Sequence, residues 1–147
     1  NLAGKTMDIN AFLVDVLQVT KERPEDEAKT SITYHDPCHL KKSLDVSAQP
    51  RKLLQHNPDY TLIEMKDADR CCGMGGSFNL LHYDLSHQIG EKKLESILDS
   101  QAAVVATGCP ACMLQITDLL SRAGKDVAVK HPIEIYAETL DAAEGKI

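Results

Sequence analysis

Five cysteines in three groups constrain this chain more than any other feature of its sequence. Cys38 stands alone, Cys71 and Cys72 are adjacent, and Cys109 and Cys112 form a Cys-x-x-Cys pair. The count is odd, and 147 residues are enough to fold without disulfide staples. The adjacent cysteines cannot easily bridge to each other, because their Cβ vectors diverge. We therefore expect the thiols to serve a metal in a reducing compartment rather than to form structural disulfides.

Short β-forming stretches alternate with helical ones along the chain. Strands are predicted at Ser31–His35, Tyr60–Met65, Ala102–Thr107 and Val127–Lys130. Helices are predicted at Asp8–Val19, Gln49–His56, Ser77–Leu98, Ala111–Arg122 and Pro132–Ala143. This alternation predicts βαβ units. The expected fold is α/β, a three-layer Rossmann-like domain with a parallel sheet of about four strands and helices on both faces.

The spacing of apolar residues also predicts the buried face of each helix. In the first helix Asp8 is the expected N-cap, and the expected buried face is Ile9, Phe12, Leu13, Val16 and Leu17. The long helix is expected to bury Phe78, Leu81, Leu85 and Ile89, to be interrupted at Gly90, and to resume with Leu94, Ile97 and Leu98. The helix after it is expected to bury Met113, Ile116, Leu119 and Leu120 and to stop at Gly124.

Each cysteine group follows one of the predicted strands. Cys38 comes after the first strand, the Cys71–Cys72 pair after the second, and Cys109 and Cys112 after the third. The carboxyl ends of parallel strands share one edge of a sheet, and ligands bind at that edge. The topology therefore predicts that all five thiols converge on a single metal site.

The local sequence suits thiolate chemistry. Cys109 and Cys112 open a predicted helix, whose N-terminal dipole stabilises thiolate. Gly73, Gly75 and Gly76 form a turn whose N–H groups can bind sulfur as an anion. A thioredoxin-like redox pair is one alternative for the Cys-x-x-Cys motif, and three further cysteines at equivalent strand ends argue against it. The glycines do not follow the spacing of a phosphate loop. Zinc would use four thiolates, so a fifth favours an iron–sulfur cluster and leaves zinc open.

His35 and His39 flank Cys38. Either histidine could donate a hydrogen bond to cluster sulfur or bind zinc, while the alternative is a local role around Pro37. Of the two, His39 is the one predicted at the cofactor. Asp36 is expected to cap the turn that begins at Pro37. No spacing supports a general base or a catalytic triad, so no catalytic residue is predicted.

Charge and hydropathy exclude some classes of partner. The net charge is −6 and no Lys/Arg cluster stands out, so nucleic acid is not an expected partner. No apolar run approaches the roughly 20 residues that span a bilayer, and the first residues of the given sequence do not show the basic-then-apolar pattern of a signal segment. The charged stretch 21–29 contains Pro24 and is expected to be a linker. We expect an N-terminal helix and linker at 1–29 and one cysteine-rich domain at 30–147, within a longer protein.

The complete cysteine pattern, C-x32-C-C-G-x35-C-P-x-C, has a known counterpart. The pattern lies within the short motifs H-D-P-C-H-L, C-C-G-M-G-G-S-F and T-G-C-P-A-C, and the motif V-K-H-P-I-E-I follows it. The pattern resembles the CCG cysteine-rich domain found in heterodisulfide reductase, in the component that reduces the disulfide. That domain also occurs in the iron–sulfur subunits of glycolate oxidase, D-lactate dehydrogenase and anaerobic glycerol-3-phosphate dehydrogenase. The resemblance extends over about residues 30–143.

The resemblance implies a ligand set and a function. Cys38, Cys71, Cys72, Cys109 and Cys112 would hold a [4Fe-4S] cluster, of the non-cubane type, or alternatively zinc. Gly73, Gly75, Gly76 and His39 would contact the cofactor. The chain would be a domain of a glycolate/lactate-type oxidoreductase complex rather than a complete enzyme. It would pass electrons from a flavoprotein dehydrogenase to a quinone or disulfide acceptor.

Two other functions stay open at this point. One is a zinc-bound structural and partner-docking module, and the other is a catalytic domain of the heterodisulfide reductase type. The partners implied are the flavoprotein and the other domains of the same iron–sulfur subunit. The implied location is the cytoplasm, either free or held at the inner face of the membrane through those partners.

Overall fold

The computed structural model describes residues 3–20 and 30–144. Its four strands are β1 (Thr30–Tyr34), β2 (Tyr60–Leu62), β3 (Val104–Ala106) and β4 (Ala128–Lys130). Its helices are α1 (Ile9–Ala11), α2 (Cys38–Ser43), α3 (Ala48–His56), α4 (Ser77–Leu81), α5 (Tyr83–Asp99), α6 (Pro110–Arg122) and α7 (Pro132–Glu144). A short 3₁₀ turn, Ala3–Lys5, precedes α1. None of the helices in these ranges is long and apolar enough to cross a membrane.

The strands form one parallel sheet in the order β2-β1-β3-β4. On one face, Ile32, Tyr34 and Ala106 pack with residues of α3 and α7. On the other face, Val105 packs with residues of α5 and α6. The predicted α/β fold, with helices on both sides of a four-stranded parallel sheet, is confirmed.

The two inner strands are the most deeply buried. All three residues of β3 are buried, as the continuous apolar run predicts. The outer strands β2 and β4 are only partly covered. β1 and β3 pair with each other at the middle of the sheet, so their carboxyl ends are adjacent. The segments that follow these two strands are brought together there.

The first helix differs from its prediction. Asp8 is the N-cap as expected, because its carboxylate accepts the N–H groups of Asn10 at 2.9 Å and Ala11 at 3.3 Å. The helix then continues as a π-helical turn, Phe12–Val16, and does not reach Val19. The wider turn changes the register of the face, so the buried residues are Asn10, Ala11, Leu13 and Val14. Of the predicted face only Leu13 is buried, and Ile9, Phe12, Val16 and Leu17 are exposed. The predicted linker at 21–29 lies outside the described residues.

The long predicted helix is divided at His82 and not at Gly90. His82 has φ −135° and separates α4 from α5. Leu81 and Leu85 are exposed, whereas the buried face of α5 is Ser86, Gly90, Lys93, Ser96 and Ile97. A side chain on Gly90 would meet Leu119 Cδ1 at 2.8 Å and the Cys72 carbonyl at 3.1 Å. The small residues thus let α5 lie close to α6 and to the Cys72 loop.

A short helix after β1 was not predicted. α2 begins at Cys38 with Pro37 as its N-cap residue. Asp36 does not cap it, because its carboxylate binds Arg51 and Ser47 instead. The predicted stop at Gly124 is confirmed: α6 ends at Arg122, and Gly124 has φ +62°.

Candidate metal centre

All five cysteines line one cavity of about 270 Å³. The cavity lies beyond the carboxyl ends of β1 and β3, where the topology predicts the site. Its wall also includes His35, His39, Met74, Gly75, Gly76 and Ala111. The predicted convergence of the cysteine groups is therefore observed in the structure.

The cavity has a buried side and an open side. Cys72, Cys109 and Cys112 are buried, while Cys38 and Cys71 are exposed. Cys109 is the N-cap residue of α6, and Cys112 lies in the first turn of that helix behind Pro110. The positive end of the α6 dipole therefore lies at the wall of the cavity. Three thiols are thus shielded from solvent and two are accessible at the mouth.

The loop that carries Cys71 and Cys72 is held against α5 by Gly73. Gly73 has φ +96°, and a Cβ there would lie 2.3 Å from the Ser86 carbonyl oxygen. The Gly73 N–H donates to Cys71 Sγ at 3.3 Å, and the Ser86 hydroxyl donates to the Gly73 carbonyl at 2.8 Å. Only glycine fits this position, so the residue after the cysteine pair is set by the contact with α5.

The other two glycines face the cavity. Gly75 and Gly76 have φ +55° and +60° and line its wall. Gly73 is not part of the wall, although its N–H reaches a cysteine sulfur. Whether these glycines contact a cofactor remains a prediction, and the structure gives Gly73 a different position from the other two.

Cys71 and Cys72 are crowded by neighbouring thiols, and this crowding favours their protonated forms. Cys72 Sγ and Cys112 Sγ are 3.3 Å apart. The hydrogen bond with Cys112, together with burial, raises the pKa of Cys72 to about 11. The pKa of Cys71 is also raised, mainly by its hydrogen bond with Cys72 and then by burial. A cation that binds the sulfur atoms would supply the positive charge that their thiolate forms need.

His35 lies at the end of β1 and is 1% exposed. Its Nδ1 is 3.1 Å from the Ala68 carbonyl oxygen, and its Nε2 has no hydrogen-bond partner. Burial, followed by the nearby charge of Lys93, lowers the pKa of His35 to about 3, so the ring is neutral. A His35 ring nitrogen, Cys72 Sγ and Cys112 Sγ all lie within 4.8 Å of one another. His39, the histidine predicted at the cofactor, lines the cavity but is exposed.

Lys93 is a buried cation that the sequence analysis missed. Its side chain is fully buried, and its ammonium donates to the carbonyls of Asp67 at 2.7 Å and Ala68 at 3.1 Å. Burial lowers the pKa of Lys93 to about 8. Interaction with the nearby Cys72 sulfur acts in the opposite direction, because a thiolate there would stabilise the charged ammonium. The sequence could have indicated this burial, because Lys93 is three residues after Gly90 and four before Ile97, a spacing that puts it on the core side of α5.

The donor set suits a soft or borderline metal. Thiolates bind zinc and iron–sulfur clusters, and imidazole nitrogen binds zinc and iron. The unpartnered Nε2 of His35 is a further donor at the same wall. The residues present therefore fit either cofactor expected from the sequence.

A parallel α/β domain with five thiols at the carboxyl edge of its sheet defines a cysteine-rich domain with a soft-donor site. The chain belongs to the CCG cysteine-rich domain family, whose profile matches residues 32–117. The resemblance to this family, inferred from the cysteine spacing, is confirmed.

Several relatives match nearly the whole chain. It is 34% identical over 142 residues to a subunit of the dihydromethanophenazine:CoB–CoM heterodisulfide reductase of Methanosarcina barkeri, covering 95% of the chain and 35% of that relative. It is 35% identical over 141 residues to lactate utilization protein A of Exiguobacterium sp., covering 96% and 57%. It is 36% identical over 130 residues to a subunit of the fumarate reductase (CoM/CoB) of Methanothermobacter marburgensis, covering 88% and 26%. The chain thus spans between about a quarter and somewhat over half of these relatives' lengths.

Proposed function

We propose that the five cysteines hold an iron–sulfur cluster and that the chain is an electron-transfer domain. The observation that carries the proposal is the convergence of all five thiols on one cavity. Relatives over nearly the full chain are named as subunits of a heterodisulfide reductase and a fumarate reductase, both redox enzymes. A relative over most of the chain is described as an iron–sulfur protein. When bound, such a cluster accepts and donates single electrons.

The chain's own residues would then bind the cluster and adjust its electron affinity. The cysteine thiolates would be the ligands, and the N–H groups at Gly75 and Gly76 would face the bound sulfur. The buried ammonium of Lys93 would favour added negative charge at the site, because a nearby cation stabilises the reduced state. The two exposed cysteines, Cys38 and Cys71, would put the open side of the site within reach of a redox partner.

The partner and acceptor are finer parts of the same proposal. We place the chain in a longer iron–sulfur subunit, with a helix and linker at 1–29 and the CCG domain at 30–147. Electrons would come from a flavoprotein dehydrogenase and pass to a quinone or a disulfide. Similarity to lactate utilization protein A supports the glycolate/lactate type of complex. The protein would be cytoplasmic, with any membrane contact made through partners.

Anaerobic reconstitution with iron and sulfide tests this function. We expect iron and acid-labile sulfide to bind in amounts of about four each per chain, as a [4Fe-4S] cluster requires, with an electron paramagnetic resonance signal after reduction or oxidation. Single Cys→Ser variants at each of the five positions should alter that signal. An Asp118→Asn variant, on the exposed side of α6, is the matched control. One zinc per chain and no iron after reconstitution would overturn the proposal.

A zinc-bound structural module is the second candidate. The observation that favours it is the buried group of His35, Cys72 and Cys112, which one ion could reach. The same metal analysis separates the two functions, because zinc gives no redox signal.

A further inference from the structure

We propose that α1 is part of the cysteine site, and that Asn10 and Tyr34 are positioning residues that hold the Gly108–Cys109 segment. The family profile begins at residue 32 and leaves α1 out, whereas matches to relatives over 95% and 96% of the chain necessarily include it. The inference rests on the proposed function only in treating Cys109 as a ligand. It adds supporting residues that belong neither to the cysteine pattern nor to the wall of the cavity.

Asn10 lies on the inner side of α1 and has no exposed surface. Its side-chain Nδ2 donates to the Asp8 carboxylate at 3.0 Å, and its backbone N–H donates to the same oxygen at 2.9 Å. These two bonds fix the orientation of the amide. Its Oδ1 cannot bind that carboxylate, because both groups are acceptors, and it has no partner in the described part of the chain.

Tyr34 supplies a group that complements this acceptor. It is the last residue of β1 and is completely buried, and its hydroxyl has no partner among the residues that the structure describes. Burial and then the charge of Asp36 raise the pKa of Tyr34, so the hydroxyl keeps its proton and is a donor. Buried polar atoms are nearly always paired. The Asn10 acceptor and the Tyr34 donor therefore satisfy each other, directly or through one buried water.

Gly108 is the point at which both groups reach the segment that carries a cysteine. A Cβ on Gly108 would lie 3.5 Å from Asn10 Nδ2 and 3.6 Å from the Tyr34 hydroxyl. It would also lie 2.7 Å from Leu40 Cδ1 of α2, and Leu40 is buried together with Ala11 of α1. α1 thus packs against α2 and lies beside Gly108 at the same time.

The positions of two buried thiols depend on this segment. Cys109 follows Gly108 directly and is the N-cap residue of α6, and Cys112 lies in the first turn of that helix. Both thiols line the cavity, and Cys112 Sγ is 3.3 Å from Cys72 Sγ. A displacement of Gly108 would move both sulfur atoms relative to Cys72. Ligands that are held in place before the cofactor arrives cost less to order when it binds.

Alkylation of the reduced, cofactor-free full chain with iodoacetamide tests the inference, because mass spectrometry of its peptides reports each cysteine separately. Asn10→Leu keeps the approximate size of the side chain and removes both polar atoms. We expect Cys109 to react about 10-fold faster relative to the exposed Cys38, since losing a buried polar contact makes local opening easier.

Asn57→Leu is the matched control for a buried asparagine. Asn57 is 1% exposed at the end of α3, where its side chain donates to the Ile135 carbonyl and accepts the N–H of Asp59. It does not line the cysteine cavity. Its loss should destabilise the chain and leave the ratio of Cys109 to Cys38 labelling as in the wild type.

Tyr34→Phe keeps the tyrosine ring and removes only the hydroxyl, so it decides the matter if Asn10→Leu does not fold. It should also speed the labelling of Cys109. A hydroxyl without a partner would give the opposite result, because removing an unpaired buried polar group leaves the segment unchanged or firmer.

The absorption of Co²⁺ bound to the reduced chain is a spectroscopic measurement of the same site, because thiolates bind this metal whichever cofactor is natural. Asn10→Leu and Tyr34→Phe should shift the ligand-field bands, and Asn57→Leu should reproduce the wild-type spectrum. Two results would overturn the inference. One is a labelling ratio that is the same in Asn10→Leu as in Asn57→Leu, and the other is a Tyr34→Phe chain that matches the wild type in both measurements.

Failure here and failure of the cluster proposal are distinguishable. A chain that assembles the iron–sulfur cluster while Asn10→Leu leaves Cys109 protected supports the proposed function and rejects the role of α1. A chain in which Asn10→Leu exposes Cys109 but which never incorporates iron does the reverse.

Discussion

Asp36 is buried two residues before Cys38, and its charge is matched by the guanidinium of Arg51. The pair is bidentate, with Nη1 to Oδ1 and Nη2 to Oδ2 both at 2.9 Å, and the Ser47 hydroxyl adds a bond at 2.8 Å. Burial alone would raise the pKa of Asp36, but the bonds from Arg51 and Ser47 outweigh it and the pKa is lowered. The pair ties the start of α2 to α3.

Arg51→Met should lower the free energy of unfolding by about 3 kcal/mol at pH 7, because it leaves a buried carboxylate unpaired. Urea unfolding of the reduced, metal-free chain measures this. The loss should shrink as the pH falls through the lowered pKa of Asp36, where the carboxylate becomes neutral. The control Arg122→Met removes an exposed ion pair with Asp118 and should change stability little. Equal losses in the two variants would contradict the expected burial effect.

Lys93 gives a second prediction, with the same sign of pH dependence but in an alkaline window. Its pKa is about 8 in the folded chain and 10.5 ordinarily. Between these values the unfolded chain binds more protons, so the contribution of Lys93 to stability improves as the pH rises. Over this window wild type should gain about 3 kcal/mol relative to Lys93→Met. A pH-independent difference would show that Lys93 titrates normally.

At the scale of elements, the contact between α5 and the Cys71–Gly73 loop determines the geometry of the site. Gly73 and Gly124 both have positive φ, but only at Gly73 would a Cβ meet backbone, the Ser86 carbonyl at 2.3 Å. Comparing alanine substitutions at the two positions therefore separates the cost of backbone strain from the cost of steric overlap.

Gly124→Ala should cost about 1–2 kcal/mol, the left-handed strain alone. Gly73→Ala should cost about 1–3 kcal/mol more, because the overlap must displace the loop or the helix. Chemical denaturation of the metal-free chain measures both. The same Gly73→Ala variant should also weaken Co²⁺ binding, and Gly124→Ala should not. Similar stabilities for the two variants would mean that the loop relaxes without cost.

Elements were predictable from sequence where a single pattern dominated. The buried run of β3 and the apolar face of α6 were identified because burial on both faces, or along one helical stripe, leaves a clear periodicity. The second half of the α5 face, Leu94, Ile97 and Leu98, was predicted correctly and packs in the core. The first half was missed because it is made of Ser86, Gly90 and Lys93, whose burial depends on close approach to another segment. The buried face of the first helix was also missed. The π-helical turn Phe12–Val16 follows α1 and departs from the 3.6-residue period on which the prediction rested.

At the scale of the whole molecule, the cavity brings together five cysteines from segments that are distant in sequence. The convergence of the five cysteines could be predicted, because parallel topology brings strand ends together. The hydrogen bonds of His35 and Lys93 could not be predicted, because both are made to the carbonyl of Ala68, whose position only the folded loop determines.

Metal should therefore act as a cross-link of the fold. We expect Zn²⁺ at 100-fold above its Kd to stabilise the chain by about 2.7 kcal/mol, with a matching rise in Tm. Calorimetry with and without Zn²⁺ measures the effect, and excess chelator should reverse it. The stabilisation should fall at lower pH, because protons compete for the thiolates. An unchanged Tm at saturating Zn²⁺ would mean that the folded and unfolded chains bind the metal equally.

The close fit of Gly73 against Ser86 also bears on how fast bound metal can leave. Cys38 and Cys71 leave one side of the cavity open to a chelator, while Cys72 is 2% exposed and its loop is held by α5. If release from the buried thiols requires α5 to lift away, it is an opening event governed by local unfolding. The rate of metal loss should then rise with chelator concentration only to a plateau, and that plateau is the opening rate of the helix. Stopped-flow release of Co²⁺ over a range of chelator concentrations would measure it.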